Sequence, residues 1–148
     1  MKTTLFLRIA SVAVIVQSVL HTIGGVFGKP TPGAASVAVA AMKANHFPVM
    51  GLDRTYWDFY IGFGLAITIS LVMEGVVFWL LANLAAKGAN VRPIAAVFCV
   101  GYLTLMVLAY RFFFPPPTVW NGLVALLLGL AALSSKPARE ERVIEVSA

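Results

Sequence analysis

The sequence contains little charge and a single cysteine, and both scarcities restrict its function. Only 11% of the 148 residues are charged, while 60% are hydrophobic, so the chain is too apolar for an ordinary soluble domain. The lone cysteine, Cys99, excludes an intrachain disulfide and a cysteine metal cluster. The net charge of +5 comes from basic residues near the ends of apolar runs, and no nucleic-acid signature is present. We therefore expect an integral membrane protein with no nucleic-acid partner.

Familiar catalytic patterns are also missing. The chain has no nucleophile elbow, phosphate-binding loop, C-x-x-C or H-E-x-x-H. Its histidines and Cys99 fall in separate segments without paired spacing, so we predict no metal and no cofactor. The absence of an internal repeat gives no support to an inverted-repeat transporter within one chain.

Four long apolar runs dominate the sequence that is present. Each is close to the roughly 20 residues that cross a bilayer, so they predict an all-α fold, a four-helix transmembrane bundle. The predicted helices cover residues 5–27, 57–84, 94–114 and 118–134. They form a single membrane domain, 1–134, with an outer loop at 28–56 and a charged cytoplasmic tail at 135–148.

The first run is either a cleaved signal peptide or a retained helix. Its length and the polar residues Gln17 and His21 favour a retained helix, although cleavage of residues 1–28 stays open. Helical spacing places six residues on one face, which should look into the bundle. They are Ala10, Val14, Gln17, His21, Gly24 and Gly28. The last two form a G-x-x-x-G, which predicts a close approach of two helices.

The outer loop begins at Lys29–Gly33, where two prolines end the first helix. Residues 34–44 are rich in alanine and predict a short surface helix, and residues 46–52 predict an irregular apolar link that folds over the bundle mouth. Counting basic residues gives seven on the side of the termini and four on the side of this loop. That asymmetry predicts cytoplasmic termini in a multi-pass protein of a bacterial inner membrane.

Two polar layers emerge from the depth of each residue along its helix. The outer layer contains an acid, a base and a histidine, which can bind a small polar ligand or move protons. These residues can equally pair with one another and only hold the helices together. The layer consists of His21, Asp58, Tyr60, Arg111, Trp120 and Asn121.

The inner layer is built on Glu74, with Ser70 and Tyr102 at a similar depth and Gln17 between the layers. A carboxyl group inside the bilayer is protonated, paired or hydrated, and such groups carry protons in many membrane proteins. Ser70 and Tyr102 can instead serve as plain hydrogen-bond partners, and Glu74 can also meet a second subunit. Glu74, Gln17 and Tyr102 therefore join His21, Asp58, Tyr60 and Arg111 as candidates for ligand or proton binding. No residue is assigned as catalytic.

Three stretches of the sequence resemble a known family. They are His21-Thr22, the segment from Gly51 through Arg54-x-Tyr56-Trp57-Asp58-Phe59-Tyr60 to Gly62-Phe63-Gly64, and Arg111-Phe112-Phe113-Phe114-Pro115. Together they resemble small bacterial four-helix membrane proteins, the LIC_13387-like family. The layout is more distantly similar to DoxX-like proteins and to EXPERA-type sterol isomerases. The resemblance implies the fold and carries no activity to particular residues.

Three classes of function are consistent with these features. The first is a binding or accessory protein with a polar pocket at the outer mouth of the bundle. The second is an oligomeric small-solute or proton-coupled transporter that uses Glu74. The third is a lipid-modifying or redox enzyme, which needs His21 and an acid to converge. Membrane lipid is an expected partner in each case, and a homo-oligomer is compatible with all three.

Overall fold

The computed structural model describes residues 2–135. Its helices are α1 (Lys2–Leu20), α2 (Ala34–Ala44), α3 (Tyr56–Ala86), α4 (Arg92–Phe112) and α5 (Pro115–Ser134). Two short strands, β1 (His46–Val49) and β2 (Leu52–Thr55), pair between α2 and α3. The predicted all-α fold class is confirmed. Most of the predicted charged tail, from residue 136 onward, lies outside the described residues.

Within residues 2–135, four helices are long and apolar enough to cross a membrane. They cover Lys2–Val26, Tyr56–Ala86, Arg92–Phe112 and Pro115–Ser134, and their mean hydropathy lies between 1.6 and 2.2. Apolar segments of this length span the hydrocarbon layer of a bilayer. The chain therefore has the features of a multi-pass membrane protein. The predicted short helix at 34–44 is confirmed as α2.

The first membrane segment changes its helical form near its end. Helix α1 stops at Leu20, and His21–Val26 continues as a π-helix. Ala10 and Val14 are buried as predicted, but Gly24 is exposed, and among the described residues no atom lies within 4 Å of where its Cβ would be. A π-turn holds more residues than an α-turn and rotates the following residues off the original face. The predicted close helix approach at Gly24 and Gly28 is therefore wrong.

The proline run begins a helix instead of separating two. We predicted a third helix to residue 114 and a fourth from residue 118, but α4 ends at Phe112 and α5 starts at Pro115. Proline fits the first helical turn because its φ angle is already helical and the missing N–H would have no partner there. Only Phe113 and Phe114 connect the two helices. Helices α4 and α5 consequently pack against each other as a hairpin.

Residues 46–52, predicted as an irregular link, belong to a β-hairpin. Antiparallel pairing joins His46 to Thr55 and Val49 to Leu52, with Met50 and Gly51 as the turn. Both turn residues have positive φ angles, 49° and 82°. A two-residue turn of this kind matches the twist of the strands. The prediction failed because methionine is an unusual residue at the first turn position.

The chain forms two compact units. Of the described residues, the C-terminal unit comprises 2–11 and 77–135. The N-terminal unit comprises Val12–Val76. Helices α1 and α3 each contribute one end to each unit.

The core of the C-terminal unit is aromatic and aliphatic. Phe78 is fully buried, and its ring meets Phe98 edge-on at 4.9 Å between centroids and lies 6.2 Å from Tyr102. The Cys99 thiol donates a hydrogen bond to the Ala125 carbonyl at 3.3 Å, which ties α4 to α5. Cys99 therefore has a packing role in this unit.

Candidate functional site

A row of hydrogen bonds joins the end of the first membrane segment to α3 inside the N-terminal unit. Ser18 Oγ donates to the Thr68 carbonyl at 3.3 Å, and the Thr22 and Thr68 hydroxyls are 2.9 Å apart. Two further bonds lie closer to the start of α3 and involve His21 and Tyr60. We call this set the polar seam: Ser18, His21, Thr22 and Gly25 on one side, and Tyr60, Gly64 and Thr68 on the other. Such bonds each contribute about 1 kcal/mol between membrane helices.

His21 is held at the seam through one ring nitrogen. Its Nε2 lies 3.0 Å from the Gly64 carbonyl oxygen. A carbonyl only accepts hydrogen bonds, so Nε2 carries the proton and donates. In the neutral ring Nδ1 is then a hydrogen-bond acceptor. Among the described residues no hydrogen-bond partner reaches Nδ1, and the side chain is half-buried.

A glycine keeps the neighbourhood of Nδ1 open. A Cβ at Gly25 would lie 3.3 Å from Nδ1 of His21, closer than ordinary side-chain contacts. The carbonyl of the same residue accepts a hydrogen bond from the Tyr60 hydroxyl at 2.6 Å. The seam thus holds the backbone of Gly25 against α3 while its missing side chain leaves room beside the histidine.

A second glycine allows the two segments to approach. A Cβ at Gly64 would meet Cγ2 of the buried Val26 at 2.8 Å, a separation that would force the structure to shift. The close helix approach predicted at Gly24 and Gly28 therefore occurs at Gly64 instead. This approach brings the Gly64 carbonyl within reach of His21.

Asp58 has a local role at the start of α3. Its carboxylate accepts hydrogen bonds from the Thr55 backbone N–H at 2.7 Å and from the Thr55 hydroxyl at 2.9 Å. The Thr55 hydroxyl in turn accepts from the Asp58 backbone N–H at 3.2 Å. This reciprocal arrangement is a capping box, which satisfies backbone N–H groups at a helix start. Asp58 thus stabilises the junction between β2 and α3.

Helix α2 and the hairpin lie between the first two long apolar segments and together form a cap, residues 34–55. Phe47 packs against Tyr56 and Phe59, with ring centroids 4.8 Å and 5.9 Å apart. Lys43 Nζ lies 4.5 Å from the ring centre of Trp57. These contacts fold the cap onto the first turns of α3.

The hairpin also carries the second histidine of the chain. His46 Nδ1 and the Asp53 carboxylate are 2.8 Å apart, and both side chains are more than half exposed. The two histidines therefore have different surroundings, since one lies within membrane segments and the other on the cap.

The remaining candidates are placed as follows. Glu74 and Gln17 are half-buried in the N-terminal unit, and both have interaction partners. Tyr102 is buried in the C-terminal unit, where Arg111 is exposed near the end of α4. Among the seven candidates, the structure connects His21 and Tyr60 through the polar seam. Within residues 2–135, no group of three His, Cys, Asp or Glu side chains is arranged to hold a metal ion.

Sequence reasoning missed several residues that the structure brings together. The pairs Ser18/Thr22 and Gly64/Thr68 are each four residues apart, a spacing of small and hydroxyl residues that is typical of helix contacts in membranes. The capping box also has a sequence signature, threonine followed three residues later by an acid. Both signals are present in the sequence, whereas the π-helix at His21–Val26 has no comparable sequence pattern.

No family model, curated protein or solved structure matches this chain.

Proposed function

We propose that this protein is a multi-pass binding protein of the cell membrane that holds a small hydrogen-bond donor at His21. The observation that carries this proposal is the Nε2 bond of His21 to the Gly64 carbonyl, which leaves Nδ1 as an acceptor beside Gly25. The seam lies at the end of the first segment and the start of α3, next to the cap. Positive-inside logic places this end on the outer face, with both termini in the cytoplasm.

The hydrogen-bond acceptor at Nδ1 of His21 costs free energy when it is removed from water. A polar group at membrane depth loses its hydrogen bonds to water, and in functional sites a ligand restores them. The first membrane segment also ends in a π-helix at His21–Val26, an uncommon helical form. A ligand that donates one hydrogen bond and is otherwise apolar suits Nδ1 and the exposed apolar residues Ile23 and Phe63 of the same unit.

The ligand class that fits is a lipid-soluble hydroxyl compound. Its hydroxyl would donate to Nδ1, and its apolar body would lie against the membrane-facing side chains. Phenol is a suitable probe because its methyl ether, anisole, is similar in shape but has no donor. Histidine labelled with ¹⁵N reports the bond directly, and His46→Gln removes the only other histidine signal.

The test is a titration of the full-length protein in lipid nanodiscs. We expect phenol to shift the Nδ1 resonance of His21 in a saturable manner, while anisole leaves it unchanged. Gly25→Ala should abolish the response because its methyl group would lie against Nδ1. Gly24→Ala is the matched control, since its Cβ would meet no described atom within 4 Å. Equal shifts with phenol and anisole, or an unchanged response in Gly25→Ala, would refute the proposal.

The alternatives make a different prediction at Glu74. A proton-coupled carrier requires several copies of the chain and an ionisable Glu74, and a lipid-modifying enzyme requires an acid next to His21. Under the binding proposal, Glu74→Gln keeps the phenol response of His21 intact. Loss of that response in a folded Glu74→Gln variant would favour the carrier.

A further inference from the structure

Helix α2 is apolar and has no buried residue. Lys43 is its only charged residue, and Val37 is 69% exposed. An isolated helix of this length is marginal in water, and its stability normally comes from packing an apolar face. The described residues provide little such packing for α2. An apolar environment other than these residues is therefore needed to stabilise α2.

The tip of the hairpin also exposes apolar side chains. Met50 is 99% exposed and Leu52 is 55% exposed. Met50 also adopts a positive φ angle of 49°, which residues other than glycine, asparagine and aspartate rarely do. A large apolar side chain in such a strained turn points to a function for that side chain.

The charged residues in and near the cap indicate what kind of surface the cap contacts. No aspartate or glutamate precedes Asp53 in the sequence, whereas Lys29 and Lys43 lie in or just before the cap. Asp53 contacts His46, and Arg54 is exposed. The surface therefore combines exposed apolar groups with basic groups, which is the pattern of segments that bind anionic lipid surfaces.

We infer that the cap lies in the headgroup layer of the protein's own membrane. Helix α2 and the tip at Met50 insert apolar side chains between the lipids, and Lys29, Lys43 and Arg54 bind phosphate groups. Continuity with the membrane supports this occupant, because β2 leads directly into α3 through Tyr56, Trp57 and Tyr60, aromatic residues typical of the interface. This inference is independent of ligand binding at His21.

The experiment places a fluorophore at the tip of the full-length protein. In a Cys99→Ser background, Met50→Cys and Val37→Cys are labelled with an environment-sensitive dye and reconstituted in phosphatidylglycerol nanodiscs. Ala89→Cys, in the exposed turn between α3 and α4, is the control. We expect the two cap labels to emit at shorter wavelength and to be quenched several-fold more strongly by spin-labelled lipid than the control.

A second arm tests the basic groups. Lys43→Gln and Arg54→Gln should each reduce the preference of the cap for phosphatidylglycerol over phosphatidylcholine by about fivefold. Water-like emission and weak quenching at both cap positions would overturn the inference. Shielding of the label from water without lipid quenching, together with disulfide formation between copies of the unlabelled Met50→Cys variant, would also overturn it, because a second copy of the chain would then cover the tip.

Discussion

At the scale of single residues, the two ring nitrogens of His21 have different surroundings. Nε2 binds the Gly64 carbonyl and holds two membrane segments together, while Nδ1 faces the space beside Gly25. A structural histidine and a ligand-binding histidine are often treated as alternatives. Here the bond from Nε2 to the Gly64 carbonyl fixes the neutral tautomer in which Nδ1 is a hydrogen-bond acceptor.

Substitution of His21 can test how much the bond from Nε2 to the Gly64 carbonyl contributes to stability. His21→Gln retains an N–H donor near the position of Nε2, whereas His21→Leu removes it. We expect His21→Leu to lower the free energy of unfolding by about 1 kcal/mol more than His21→Gln, the usual contribution of a bond between membrane helices. Denaturation in mixed micelles measures this difference. Equal losses would show that the Gly64 bond does not contribute to stability.

Gly64 provides a sharper test of packing. Gly64→Ala gains up to about 1 kcal/mol of helix propensity. The clash with Val26 should cost about 1–3 kcal/mol, so we expect net destabilisation. Gly62→Ala is the matched control, because its Cβ would meet no described atom within 4 Å, and it should be neutral or stabilising. Adding Val26→Ala to Gly64→Ala should restore part of the loss.

At the scale of elements, the start of α3 depends on its capping box. Thr55→Ala removes a donor and an acceptor from Asp58, and Asp58→Ala leaves the N–H of Thr55 without its partner. Each substitution should cost about 0.5–2 kcal/mol, and the double variant should cost less than the sum because the two residues share one set of bonds. A double-mutant cycle on thermal unfolding tests this. Strict additivity would contradict the reciprocal cap.

The hairpin turn offers a second test at this scale. Asparagine accommodates the positive φ angle at position 50 better than methionine does, so Met50→Asn should stabilise the turn by about 1 kcal/mol in detergent. The same variant should lose contact with lipid. Hydrogen exchange of the strand amides measures the first effect, and slower exchange in Met50→Asn is the expected result. Faster exchange would show that Met50 packs within the protein.

At the scale of the whole molecule, the order of apolar runs determined the fold class and the number of membrane helices. The structure added what a hydropathy pattern cannot show. Proline at 115 starts a helix because the first turn tolerates it, and Met50 enters a turn normally filled by asparagine or glycine. The π-helix at His21–Val26 places Gly24 off the predicted face, and the close approach occurs at Gly64 against Val26 instead. Of the candidate site, His21 and Tyr60 were therefore predictable from the sequence, but the Gly64 and Gly25 carbonyls that they contact were not.

The topology proposed for the chain is testable at the same scale. With both termini in the cytoplasm, the cap faces outward and the turn between α3 and α4 faces inward. In the Cys99→Ser background, a membrane-impermeant maleimide should label Thr31→Cys in intact cells and Ala89→Cys only after lysis. The reverse pattern would invert the orientation and place the seam near the cytoplasm.

The protonation of the His21 ring in lipid is the most direct test of this account. Nitrogen-15 NMR of the full-length protein without added ligand, assigned with His46→Gln, distinguishes the two neutral tautomers. We predict a proton on Nε2 and an unprotonated Nδ1. A proton on Nδ1, with or without one on Nε2, would contradict this prediction, because the acceptor proposed for the ligand would be lost.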